Sequence, residues 1–384
     1  MSASPPSDDA PQIVIRADAS RDIGTGHVMR CLTLAEQLRR TGYAVRFVSR
    51  DLPGHLGARI QAEGFKLTLL PAPTGAPFSP DGPAHAVWAG VPWQVDADQT
   101  RAVMEATSPA WLIVDHYAFD VRWQKATLTQ GTRLMVWDDL ADRTHACDLL
   151  LDQNLGRTAD AYAGLVPTGC RILAGPQFAV LRPEFAAVRP QALEARKGRD
   201  LRRITVSMGG VDLPNATGQV LSVLAQTRAA HDLEIEVILG SRAPAIDAVR
   251  TQAEAMPQTV EVAVDVTDMA ARMARADLAI GAVGGTTWER CTLGLPSLLL
   301  TIAENQHPAA QKIHDAGAAW LLGDISDPDW GAELARRLGA SDRAARMRVM
   351  ADTCARLYDG SGVARVLAAL SGSPDIALNT EQQP

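Results

Sequence analysis

IVIRADASRDIGTGHVMRCLTLAEQL, residues 13–38, enters as an apolar, β-rich run, turns through Gly24, Gly26 and His27, and leaves as an amphipathic helical pattern. A strand, a glycine turn and a helix in succession are the first half of a βαβ unit. The pattern recurs downstream. IVIRAD is followed by AVRFVS, KLTLL, WLIVDHY, RLMVWDD and CDLLLDQ, with helical periodicity over 27–41, 54–63, 95–107 and 120–129. Around residues 176–203 a stretch with three prolines and a basic cluster interrupts the rhythm. It then restarts with ITVSMGG, EIEVILG, VEVAV, LAIGAVGG and SLLLTIAENQ. Two α/β halves, 12–190 and 191–371, account for this order, with tails at 1–11 and 372–384 that have the composition of disorder. Residues 71–93, rich in glycine and proline, read as a long loop, and long loops in compact domains are often functional.

The chain has 384 residues, of which 47% are hydrophobic and 21% charged, ordinary values for filled cores. A net charge of −7 argues against a general nucleic-acid binder. An anionic ligand would have to be captured locally, by loops and helix ends. Cys31, Cys147, Cys170, Cys291 and Cys354 are scattered and form no Cys-x-x-Cys pair, which favours a reducing compartment without disulfides or structural zinc. No apolar run approaches the roughly 18 residues of a membrane span, and MSASPPSDDAPQ has no signal-like core. These features predict a cytoplasmic protein that uses no membrane.

In open parallel sheets, ligands bind beyond the carboxyl ends of the strands, so the segments after IVIRAD, ITVSM and LAIGA matter most. Gly24-Thr25-Gly26 is equally suited to a ligand loop and to a tight turn. It is neither a dinucleotide fingerprint nor a Walker loop, since the third glycine and the Gly-Lys-Ser/Thr are absent. His27 begins a helix whose dipole disfavours imidazolium, and a neutral ring can be a general base, or it can simply hydrogen-bond into the turn. Gly285, Thr286 and Thr287 open a second helix, where N–H groups and hydroxyls suit a diphosphate, and Glu289 could accept from ribose hydroxyls. Thr286 or Thr287 could also be a plain N-cap. Gly209 and Gly210 form a third turn, with Asp212 and Asn215 as polar neighbours. Asn305 and Gln306 follow the last apolar strand. Asp18 and Asp115 end strands and are ambiguous between structure and site. Adjacent Asp138 and Asp139 read first as structural, because neighbours on an extended segment point oppositely. His116, beside Asp115 and Tyr117, is a further residue to watch.

Five blocks in order, RADASRDIGTGHVMRCLTLAEQL, DDLADRTHACDLLLDQN, GPQFAVLRPEF, SMGGVD and GGTTWERCTLGLPSLLLTIAENQ, resemble the UDP-2,4-diacetamido-2,4,6-trideoxy-β-L-altropyranose hydrolases of pseudaminic acid biosynthesis. The resemblance spans about residues 12–370. It implies an α/β fold of GT-B type, two Rossmann-like domains whose parallel sheets face a central cleft, with UDP held by the C-terminal domain. It makes His27 the catalytic residue and Asn305 a substrate-binding one; Gly24, Gly26, Asp18, Gly209, Gly210, Gly285, Thr286, Thr287, Glu289 and Gln306 stand beside them as substrate-binding candidates by their own positions at turns and strand ends. The expected reaction is attack of water on the anomeric carbon with inversion and release of UDP, by a monomer without cofactor or metal. An inverting glycosyltransferase and a non-catalytic nucleotide-sugar binder are the alternatives.

Overall fold

A computed structural model of the chain describes residues 10–74 and 81–372. Residues 1–9 and 373–384 of the expected tails, and 75–80 of the expected loop, lie outside the described residues. The chain forms two compact units, one of residues up to Val180 together with those from Gly362 onward, the other Leu181–Ser361.

In the first unit the strands are β1 (Gln12–Ala17), β2 (Ala44–Arg50), β3 (Lys66–Leu70), β4 (Trp111–Asp115), β5 (Arg133–Trp137), β6 (Leu149–Asp152) and β7 (Arg171–Ala174). They form a parallel sheet in the order β3-β2-β1-β4-β5-β6-β7. Both faces are covered, so central strands such as β4 and β6 are buried along their whole length rather than alternating, while the edge strand β3 is partly exposed. Ile13, Ile15, Phe47, Ile113 and Met135 pack on one face, and Val14, Val48, Leu112, Val114 and Val136 on the other.

The second unit repeats the plan with β8 (Arg203–Ser207), β9 (Glu234–Leu239), β10 (Thr259–Val264), β11 (Leu278–Ala282), β12 (Ser297–Thr301) and β13 (Trp320–Asp324), ordered β10-β9-β8-β11-β12-β13 and all parallel. Ile204, Val206, Val237, Ile280 and Leu298 lie in its core. In each sheet the strand order reverses once, between β1 and β4 and between β8 and β11. At such a reversal the loops leave in opposite directions and open a crevice at the strands' carboxyl ends.

Two boundaries differ from the sequence reading. The boundary expected at 190/191 falls inside a helix, Pro183–Arg196, which takes up much of the proline-bearing stretch at 176–203 and belongs to the second unit. Arg196 ties it there, donating to the carbonyls of Leu293 at 2.8 Å and Met273 at 2.7 Å. The last helix, Gly362–Leu370, read as the end of the second half, returns to the first unit. Its Val366, Ala369 and Leu370 enter that unit's core, and the indole of Trp111 donates to the Leu370 carbonyl at 3.2 Å. Strands β7 and β13 escaped the sequence reading. β7 has four residues, and β13 carries Gly323 beside a register shift in its pairing with β12.

Candidate active site

The turn after β1 requires one of its two glycines. Ser20 braces it: its hydroxyl accepts from the N–H groups of Asp22 and Ile23 at 3.1 and 3.0 Å, and its carbonyl from Gly24 at 2.9 Å. Gly24 has φ +80°, the left-handed region that favours glycine. Gly26, the first residue of helix Gly26–Arg40, is exposed, and a Cβ there would meet nothing within 4 Å, so the fold itself does not require glycine at this position.

His27, in the first turn of that helix, is nearly buried. Because β1 and β4 are neighbours at the reversal, the end of β4 lies beside it. Its Nδ1 is 2.5 Å from Asp115 Oδ1. A carboxylate accepts only, so Nδ1 carries a proton, and in the neutral ring the lone pair is then on Nε2. The sequence reading rested a neutral ring on the helix dipole alone; the structure adds a carboxylate that sets its tautomer. Arg30, one turn on, donates to both Asp115 oxygens at 2.6 and 2.7 Å and pairs with Asp139 at 2.7 Å. Tyr117 donates to Asp139 at 2.5 Å, and Asn154 to the other Asp139 oxygen at 2.8 Å. Burial alone would raise the Asp115 carboxyl, but Arg30 and His27 hold it well below the usual range. Burial and then Asp139 push the Tyr117 phenol up, so it stays a donor.

Aromatic rings flank the histidine. Tyr117 meets it edge-on at 4.6 Å, Trp88 stacks near Tyr117 at 5.7 Å, and His85 lies 4.5 Å from Trp88. Trp88 and His85 come from the long loop flagged at 71–93, although nothing in its sequence singled them out.

The other candidates divide. Asp18 is not presented to a ligand. It is fully buried, clamped by Arg16 at 2.6 and 2.8 Å, and accepts from the Arg50 N–H at 2.6 Å and the Ser49 hydroxyl at 3.2 Å. Those donors occupy its oxygens, so its assignment to substrate binding is withdrawn. His116 belongs to the same cluster, 3.2 Å from Asp18, its pKa lowered by burial. Asp138 and Asp139 do part company, as expected for neighbours. Asp138 pairs with Arg143 at 2.8 Å, while Asp139 faces Arg30 and Tyr117.

In the second unit, the turns after β8 and β11 start side by side, since Ser207 is in register with Gly281. Gly209 (φ +98°), Gly210, Gly284 and Gly285 are exposed, and Thr286 is half-buried. Thr287 turns inward instead, its hydroxyl accepting from the Gly284 N–H at 3.2 Å and from Arg290 at 3.1 Å, so it serves as the cap and not as a ligand group. Glu289 is paired with Arg182 at 3.0 Å. Burial raises its carboxyl pKa, and Arg182 opposes that. Asp212 and Asn215 cap helix Ala216–Gln226, accepting from Ala216, Thr217 and Gly218 at 2.8–3.1 Å. Gln306 accepts from the Ile302 N–H at 2.9 Å. The side chain of Asn305 lies outside the described residues. Among the described residues no group of three or more His, Cys, Asp and Glu has metal-holding geometry, and no helix is long and apolar enough to cross a membrane.

No family model matches the chain. Over 222 residues, 56% of this chain and 67% of the relative, it is 26% identical to UDP-2,4-diacetamido-2,4,6-trideoxy-β-L-altropyranose hydrolase of Campylobacter jejuni. Over 209 residues it is 32% identical to the spore coat polysaccharide biosynthesis protein SpsG of Bacillus subtilis, covering 52% of this chain and 58% of that one. Among solved structures, MurG of Acinetobacter baumannii superposes with a TM-score of 0.68 at 14% identity, over 94% of this chain and 99% of its own. The spinosyn rhamnosyltransferase SpnG follows at 0.56 and 18%, over 93% and 99%. The chain therefore has the two-domain α/β fold of GT-B glycosyltransferases and, in sequence, resembles a UDP-sugar hydrolase.

Proposed function

We propose that the chain hydrolyses a UDP-linked 2,4-diacetamido sugar at its anomeric C1–O bond, releasing UDP and the free sugar with inversion. The observation that carries this reading is the His27–Asp115 pair at the strand reversal of the first sheet, in a chain that resembles an enzyme of that activity. Asp115 holds Nδ1–H, so Nε2 takes the proton from a water as that water's oxygen bonds to C1. Asp115 then faces the imidazolium so formed, in the manner of a catalytic dyad. The C1–O electron pair leaves with UDP. Diphosphate is a good leaving group and departs without a general acid; within the second unit, the N–H groups near Gly209, Gly285 and Thr286 suit a diphosphate. Trp88 and Tyr117 offer ring faces against which the C–H face of a sugar packs. The proposed reaction uses no cofactor and no metal, and the active form is a monomer.

Turnover in ¹⁸O-labelled water tests the chemistry. The label is expected at C1 of the free sugar, with the inverted anomer seen first by NMR and UDP unlabelled. Label in UDP would mean attack at phosphorus and would overturn the mechanism. Release of UDP only when an acceptor hydroxyl is added would make the protein a transferase, and no release under any condition would make it a binder. The same assay after metal removal and with excess chelator is expected to run unchanged.

A further inference from the structure

Arg290, on helix Gly285–Thr292, is buried to 1% exposure. Its guanidinium reaches back under the turn after β11, donating to the Ala282 carbonyl at 3.0 Å and the Thr287 hydroxyl at 3.1 Å. Its Nε has no hydrogen-bond partner. Among the described residues no carboxylate lies within ion-pair distance, and adjacent Glu289 is turned to Arg182 instead. The sheet makes room for this charge. A Cβ at Gly281, in the central strand β11, would collide with the guanidinium and lie 2.8 Å from the Ser207 carbonyl.

A buried cation without a counter-ion is among the costliest arrangements a fold can hold. Here it lies at the carboxyl ends of β8 and β11, at the reversal, held between Ala282 and Thr287, which flank the exposed residues Gly284 and Gly285. A buried positive charge beside the turn, together with the N–H groups of the helix start beyond Gly284, suits a single guest, a multiply charged anion resting on the turn. We infer that Arg290 is the resident counter-charge for the diphosphate of a nucleotide bound at this turn. It acts through Thr287 and the helix start, as a positioning residue that selects diphosphate over an uncharged nucleoside. The inference rests on the UDP-sugar reading of the turn, but its test does not depend on turnover.

Calorimetric titration of the full chain with UDP and with uridine separates charge from base recognition. Arg290→Gln is expected to weaken UDP about tenfold or more while leaving uridine within about threefold, and Arg290→Lys to lose less of the UDP affinity than Arg290→Gln. An unchanged UDP-to-uridine affinity ratio in the folded variants overturns the inference. Where the variants do not fold, the wild type answers: the Arg290 Nε–Hε NMR signal shifts on titration with UDP but not with uridine, and a signal that UDP does not move is equally fatal. A chain that binds UDP through Arg290 yet hydrolyses no UDP-sugar would sink only the hydrolase reading. A hydrolase with an unchanged ratio would sink only this one.

Discussion

At the residue scale, the tautomer of His27 is set by a carboxylate 88 positions away in the chain. With Asp115 as acceptor the proton sits on Nδ1; with an amide there, the NH₂ group would donate and leave the proton on Nε2, where no base is then available. Asp115→Asn is therefore expected to lower kcat by roughly 10²-fold, and His27→Asn by about 10²–10⁴-fold, with UDP affinity kept in both. Steady-state kinetics beside UDP titration checks this split. A variant that loses UDP binding and kcat together, or that keeps wild-type kcat, removes His27 and Asp115 from the proposed roles. Sequence reasoning left His27 open between a base and a turn residue until the resemblance made it the catalytic candidate, and it left Asp115 ambiguous. It missed Arg30, because an arginine on an amphipathic helix looks like any solvated charge until its carboxylate partners are seen.

At the scale of elements, β1, β2 and helix Trp93–Thr107 are joined by ions rather than by apolar contact alone. Asp96 accepts from Arg16 at 2.7 Å, from Arg50 at 2.6 Å and from the Trp123 indole at 3.0 Å, all buried. Removing one partner leaves two buried cations short of charge, so Asp96→Asn should cost about 3–5 kcal/mol in urea denaturation. A loss below about 1 kcal/mol would show the network to be dispensable. Burial opposes ionisation of Asp18 and Asp96, yet Arg16 holds both carboxyls low. The stability they contribute is complete above roughly pH 4 and lost as pH falls below it. His145 acts in the same direction in a higher window. Burial, then Arg143, pushes its pKa down to about 4, and Gln124 donates to its Nδ1 at 2.8 Å. Folding thus favours the neutral ring, whose contribution is full above about pH 6.5 and disappears towards pH 4. The melting temperature should decline across that interval in the wild type and more shallowly in His145→Gln. Parallel profiles for the two would contradict the assignment.

At the scale of the whole molecule, the chain crosses from the first unit to the second after Val180 and returns at Gly362. The last helix is thus a distant part of the first core, and a Cβ at Gly362 would collide with the backbone of Ala179. Ending the chain after Ser361 should raise amide exchange in β1 and β4, whose residues pack in the cluster with Val366 and Leu370, and leave β8 and β11 protected. Equal loosening of both sheets, or of neither, would count against this division. The crossing was invisible in the sequence because Gly362–Leu370 has the same apolar periodicity whichever core it enters.

What the sequence determined by itself is whatever depends on neighbours in the chain. The alternation of apolar runs with helical periods requires parallel sheets covered on both faces, and Gly24, at positive φ, marks a turn whichever residues surround it. The pairing of charges depends on strand order, and only the tertiary structure decided it. Asp18 and Asp115 both end apolar strands, and local pattern treats them alike. Folding encloses Asp18 between Arg16 and Arg50, and places Asp115 against His27. Electrostatic energy falls with distance in space, and distance in space between residues far apart in the chain is set only when β1 comes to lie beside β4.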